Sequence, residues 1–298
     1  MNRGWHVERL SLSERAPMHE HNTRSPWKSF WERGGWWKAL ILVLVYYGVY
    51  QLGGLLLNLV FGGAKIEAGS ALGIFVGTGL PILLGCVLLV VLAWAVGWLK
   101  ELFGRQVIRG RGWMWIAVAV VLLTNVFRFM ALDYEKTGAA LLFSWLLTGL
   151  FIGFAEEVLT RGFVVQLMRK AGHPEIAVAL VSAALFATLH AGNLFGGQGP
   201  LATIVQVGYT FFFGLLMYLA YRVTGRLIVP ILLHASTDPS IFLFSTNPSA
   251  TSPLAPLAGP GNIIVIFFGL ILLIVLIFSG GKDRAFARAG LSGGAVRA

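Results

Sequence analysis

Most of the 13 acidic residues of this 298-residue chain lie in polar stretches, but Glu156, Glu157 and Asp238 fall inside long apolar runs. So do two of its six histidines, His190 and His234. An ionisable side chain within such a run is costly unless paired or hydrated, so each is a candidate functional group. They group into FAEEVLTRGF (154–163), LFATLH (185–190) and LLHASTDPS (232–240). Carboxylates and imidazoles brought together can activate water and place donors where negative charge develops, which is hydrolysis. They can also serve a proton or metal relay.

Helical spacing divides these residues. Glu157 and Arg161 are four apart and share a face, so they can pair within one helix. Glu156 is turned by about 100° and points elsewhere. The simplest division makes Glu157–Arg161 a structural ion pair and Glu156 the free carboxylate. His234 and Asp238 also share a face, but Asp238 precedes Pro239, which disfavours helical dihedrals and predicts a break there. At a rise of about 1.5 Å per residue from the helix ends marked by Lys170, Ile176 and Arg226, Glu156 and His190 lie roughly 21 Å deep, Asp238 roughly 18 Å and His234 roughly 12 Å. Four polar groups thus fall in one layer, below an expected cytoplasmic entrance.

The elements that must carry them are membrane helices. Apolar residues make up 57% of the chain and charged residues 12%, against about 25% charge in soluble domains. Mean hydropathy is +0.77, which excludes a soluble globule and a disordered chain. A single cysteine, Cys86, excludes a disulfide-stapled domain. A span needs about 20 apolar residues. The reading places spans near 39–62, 72–99, 113–132, 139–169, 176–191, 202–222, 226–244 and 262–279. The fold class is therefore all-α, a polytopic bundle of about eight transmembrane helices. The block 139–169 exceeds one perpendicular crossing and reads as one long, tilted or broken helix.

The net charge of +10 is distributed as a topology signal and not as a nucleic-acid surface, so no nucleic-acid partner is expected. With the N-terminus cytoplasmic, nearly all Lys and Arg fall on that side, and an even number of spans returns the C-terminus there. Only Lys65 and Lys136 fall outside, while Arg128 and Arg161 lie within spans. Residues 1–38 read as a basic cytoplasmic arm, 39–135 as N-terminal membrane helices, 136–245 as the segment bearing the chemistry, and 246–298 as an external loop, last helix and basic tail. The Pro/Ser/Gly-rich stretch 245–261 reads as an external turn without regular structure. The expected location is an integral protein of a bacterial cytoplasmic membrane, with the lipid bilayer as its surroundings.

Glu156-Glu157-x-x-x-Arg161, Phe186-x-x-x-His190 and His234-x-x-x-Asp238, in that order, resemble the three-motif signature of the CPBP intramembrane proteases, also called the Abi family. These are CAAX-processing and bacteriocin-processing enzymes related to the type II CAAX prenyl endopeptidase. The resemblance covers roughly residues 140–245, a four-helix core. It implies an endopeptidase acting in a cavity open to the cytoplasm. Glu156 would activate water with His190 as its proton-transfer partner, and His234 with Asp238 would stabilise the oxyanion. Glu157 and Arg161 would support them. Many members of the family carry Asn where this chain has Asp238, and Asp donates only when protonated. Asp238 could be neutral, could orient a protonated His234, or could ligate a metal. Glu156, His190, His234 and Asp238 also make a two-His, two-carboxylate zinc set. The implied partner is a peptide or protein substrate, lipidated or membrane-inserted.

Plainer readings stand beside these. A buried histidine in a membrane helix often only hydrogen-bonds a neighbouring helix. Phe186 reads as packing beside His190, Arg128 as snorkelling or paired, and Gly149-x-x-x-Gly153 as a notch for close helix packing. Ser182, Ser236 and Thr237 form no evident triad. The alternatives to a protease are a catalytically silent immunity or scaffold protein of the same family, and a proton- or metal-coupled transporter. The polar residues occupy one half of the chain only, which argues against the inverted repeats of a transporter.

Overall fold

The computed structural model describes residues 25–284. The arm before residue 25, with His6, His19 and His21, and the tail after 284 lie outside the described residues. Among the described residues, eight helices are long and apolar enough to cross a membrane: α1 (Trp36–Phe61), α2 (Ala71–Val96), α3 (Gly112–Met130), α4 (Ala139–Lys170), α5 (Glu175–Leu194), α6 (Pro200–Thr224), α7 (Ile228–Thr246) and α8 (Gly261–Phe278). Each falls within a few residues of its expected span, and no strand occurs among the described residues. Large apolar side chains such as Leu59, Trp94, Phe143 and Ile263 stay outward-facing, as lipid-facing surface requires.

Successive helices run antiparallel, so the ends rich in Lys and Arg gather at one end of the bundle. There Arg169 makes a two-pronged contact with Glu175 at 2.9 and 2.6 Å, both side chains buried. Lys170 pairs with Glu32 at 2.9 Å and with Glu101 at 2.8 Å. Arg222 binds Asp283 and the carbonyl of Gly280. These contacts tie α4, α5 and α6 to the segments before α1, after α2 and after α8. At the opposite end the α3–α4 and α7–α8 connections pair through Asp133 N–H to Asn247 O at 3.0 Å and Ser249 N–H to Ala131 O at 2.8 Å. The stretch 245–261 is thus partly regular, with a bridge at Leu132–Pro248 and a helical turn Ala255–Ala258.

The core that positions the polar residues is α4 to α7, where α4 packs most extensively on α7 and α5 on α6. Helix α4 is continuous, but Val158–Val164 winds as a π-helix. Such turns widen a helix locally and recur at functional sites. The carbonyl of Thr160, within that stretch, accepts from Ser182 Oγ of α5 at 3.0 Å. Helix α7 does not break at Asp238 as the sequence predicted; Pro239 lies inside it. Two neighbours hold it. A Cβ at Gly149 would sit 2.4 Å from Pro239 Cγ and 2.5 Å from Ala235 O, and one at Gly153 2.6 Å from Ala235 N and Ile231 O, so the two glycines form the notch that seats α7. From α3, Asn125 Nδ2 reaches Leu233 O at 3.2 Å, Ser236 Oγ at 2.9 Å and Thr237 Oγ1 at 2.8 Å. A helix so clamped overrides the local preference of a residue before proline.

Arg128 is buried and donates to Asn262 Oδ1 of α8 at 2.8 Å, so of its two expected roles it takes the paired one.

Candidate active site

Helix α4 places Glu156 and Glu157 on adjoining faces, and the difference in what each touches defines the site. Glu157 is fully buried. Its Oε1 accepts from Arg161 Nη1 at 3.1 Å, the expected pair, and also from His234 Nδ1 at 2.8 Å. The sequence division made Glu157 a structural partner of Arg161 alone; it is also the group that orients His234. That contact joins residues 77 apart, beyond the reach of any helical spacing rule. Arg161 is fixed in turn by Thr160 Oγ1 at 2.5 Å and the carbonyl of Gly214 on α6 at 2.6 Å.

With Nδ1 donating to Glu157, His234 presents Nε2. Glu156 Oε2 lies 3.8 Å from it and Asp238 Oδ2 3.9 Å. Both distances exceed a hydrogen bond and fall within ion-pair range of a protonated imidazole. Asp238 therefore shares the His234 face, as four-residue spacing predicted. Glu156 Oε2 is buried and has no hydrogen-bond partner, which agrees with its expected role as the free carboxylate.

His190 contributes from α5. Its Nδ1 sits 3.2 Å from the carbonyl of Phe186. A carbonyl only accepts, so Nδ1 carries the hydrogen and Nε2 is the basic nitrogen of the neutral ring. Phe186 does more than pack beside it. Its ring lies edge-on to His190 at 5.0 Å and to His234 at 5.6 Å, with the Arg161 guanidinium 4.6 Å over its centre. It is the spacer between the two imidazoles.

Glu156 and His190 line one cavity of about 210 Å³, walled by Tyr46, Tyr47 and Tyr50 of α1 and by the turn after α5 at Gly192 to Gly196. His234 and Asp238 are not among its lining residues; His234 Nε2 is 3.8 Å from Glu156 Oε2. The cavity reaches the end of α5 remote from Lys170, so it lies toward the bundle end opposite the Arg- and Lys-rich one. That differs from the expected entrance at the charge-rich end, because depth counted along each helix says nothing about where neighbouring helices part.

The hydroxyls near the site are committed elsewhere: Ser236 and Thr237 donate to Leu233 O, both at 2.8 Å, and Ser182 to Thr160 O. Cys86 Sγ is 3.3 Å from Phe151 O, on the α2 side of α4. Among the described residues, no three His, Cys, Asp or Glu side chains are grouped as a metal would require, so the zinc set Glu156, His190, His234 and Asp238 is not assembled in this geometry. Sequence reasoning missed Asn125 and the three tyrosines. Asn125 is a polar residue in an apolar run and carried a signal; tyrosines are common in membrane helices and carried none.

Comparison with known families now adds to this geometry. The match is to the Rce1-like family of type II CAAX prenyl endopeptidases, over residues 137–239. This is a CAAX protease family, the one to which the motif resemblance pointed. The matched segment runs from just before α4 to just past Asp238 and holds Glu156, Glu157, Arg161, Phe186, His190, His234 and Asp238. No curated protein matches the chain.

Proposed function

We propose that this integral membrane protein is an endopeptidase that hydrolyses a peptide bond with water activated by Glu156. The observation that carries the reading is that Glu156 lines a cavity it shares with His190, while its buried Oε2 makes no hydrogen bond to the protein. Glu156 takes a proton from water as the oxygen attacks the scissile carbonyl. Nε2 of His190 relays a proton, and the leaving amine receives one as the C–N bond breaks. His234, held through Nδ1 by Glu157, donates from Nε2 to the oxyanion when doubly protonated. Of the roles open to Asp238, pairing with that imidazolium is the one its 3.9 Å separation supports. By the positive-inside rule the charge-rich end faces the cytoplasm, and both termini with it. The cavity then meets its substrate from the opposite leaflet or from the bilayer itself.

The family description makes the first probe a peptide ending in a CAAX tetrapeptide, internally quenched, with its cysteine free or prenylated. Purified protein in lipid nanodiscs is expected to cleave one of the two forms. Glu156→Gln is expected to lower the rate by at least about 100-fold with an unchanged melting temperature. Cleavage by Glu156→Gln at the wild-type rate sinks the reading and leaves the scaffold alternative.

A further inference from the structure

Helix α1 lies outside the matched segment, yet it forms one wall of the Glu156 cavity. Tyr46 lines that cavity and is 9% exposed. Its hydroxyl is buried and has no hydrogen-bond partner. Glu156 lines the same cavity, and its Oε2 is likewise buried without a hydrogen-bond partner. Buried polar atoms without partners are costly, and one polar group held between two side chains that line the same small cavity would serve both. The position of the hydroxyl is also built: a Cβ at Gly85 of α2 would lie 2.4 Å from Tyr46 Oη and 3.1 Å from its Cζ, so only glycine leaves the phenol its place.

We infer that Tyr46 is a further catalytic residue, whose hydroxyl donates to the water that Glu156 activates and holds it on line for attack. A carboxylate only accepts, so it can take the water's proton but cannot fix the oxygen's lone pairs; a phenol donor opposite does that. No bond to Tyr46 is made or broken, and its proton stays on the phenol. The inference rests on the proposed protease reading.

The test is a cycle of variants in the full chain in nanodiscs, on whichever CAAX peptide the wild type cleaves. Tyr46→Phe keeps the ring and is expected to lower kcat at least about tenfold with KM within about twofold. Gly85→Ala displaces the hydroxyl without touching Glu156 and is expected to do the same. With the oxygen gone the added methyl meets ring carbons at 3.1 and 3.3 Å in place of oxygen at 2.4 Å, a shift of a few tenths of an ångström, so the double variant should be within about twofold of Tyr46→Phe alone. Additive losses, or a Tyr46→Phe kcat within twofold of wild type, overturn the inference while leaving the Glu156 reading intact. A melting temperature that falls in step with kcat in Tyr46→Phe also overturns it. If Glu156→Gln in the same assay is as active as wild type, or no peptide is cleaved, the protease reading itself has failed and Tyr46 falls with it.

Discussion

At the residue scale, the division of labour between two adjacent glutamates follows from what each touches. Glu157 satisfies a buried guanidinium and a buried imidazole; removing it strands both. Glu157→Ala is expected to destabilise the protein by about 3–5 kcal/mol, since a buried charge left unpaired costs about that much. Thermal unfolding in detergent reads this, and a loss below about 1 kcal/mol would mean that Arg161 finds another partner. Glu156→Gln, by contrast, should leave stability alone. The ungrouped donor set predicts that protein freed of metal by chelation keeps its cleavage activity. Loss of activity together with one equivalent of zinc, restored on adding zinc back, would reinstate Glu156, His190, His234 and Asp238 as ligands.

At the element scale, the seat of α7 against α4 decides whether His234 reaches Glu157 and Glu156. At Gly153 the notch is backbone against backbone, and backbone cannot step aside as a side chain can. Gly153→Ala would press a methyl against Ala235 N and Ile231 O, and overpacking of this kind costs about 1–3 kcal/mol. The same shift carries His234 away from α4, so the melting temperature and kcat should fall together. A variant that melts lower but keeps full activity would show that the notch stabilises without positioning. The Gly149-x-x-x-Gly153 spacing was legible as close packing, but not which helix it receives. The continuity of α7 through Pro239 was not legible, because its causes are Asn125 on α3 and the notch on α4, both remote in sequence.

At the scale of the whole molecule, the charge-rich and charge-poor ends determine how the bundle sits, and the cavity lies toward the second. Phe195, 86% exposed on the turn after α5, and Lys28, in the helix Pro26–Glu32, mark the two ends. With Cys86 replaced by alanine, Phe195→Cys is expected to react with a membrane-impermeant maleimide from outside intact cells, and Lys28→Cys only after permeabilisation. The reverse pattern would turn the bundle over and return the cavity to the cytoplasmic side.

Local chemistry was enough to read eight spans, the charge asymmetry, the Glu157–Arg161 pair and the shared face of His234 and Asp238. All of these depend on composition, helical period or the cost of burying charge, which operate within one helix. What joins helices was decided only in three dimensions: the Glu157–His234 contact, Phe186 as spacer between two imidazoles, the tyrosine wall from α1, and the end toward which the cavity lies. The physical reason is that a helical period fixes the direction of a side chain around its own axis, while the order and rotation of helices in the bundle are set by packing between surfaces far apart in the chain.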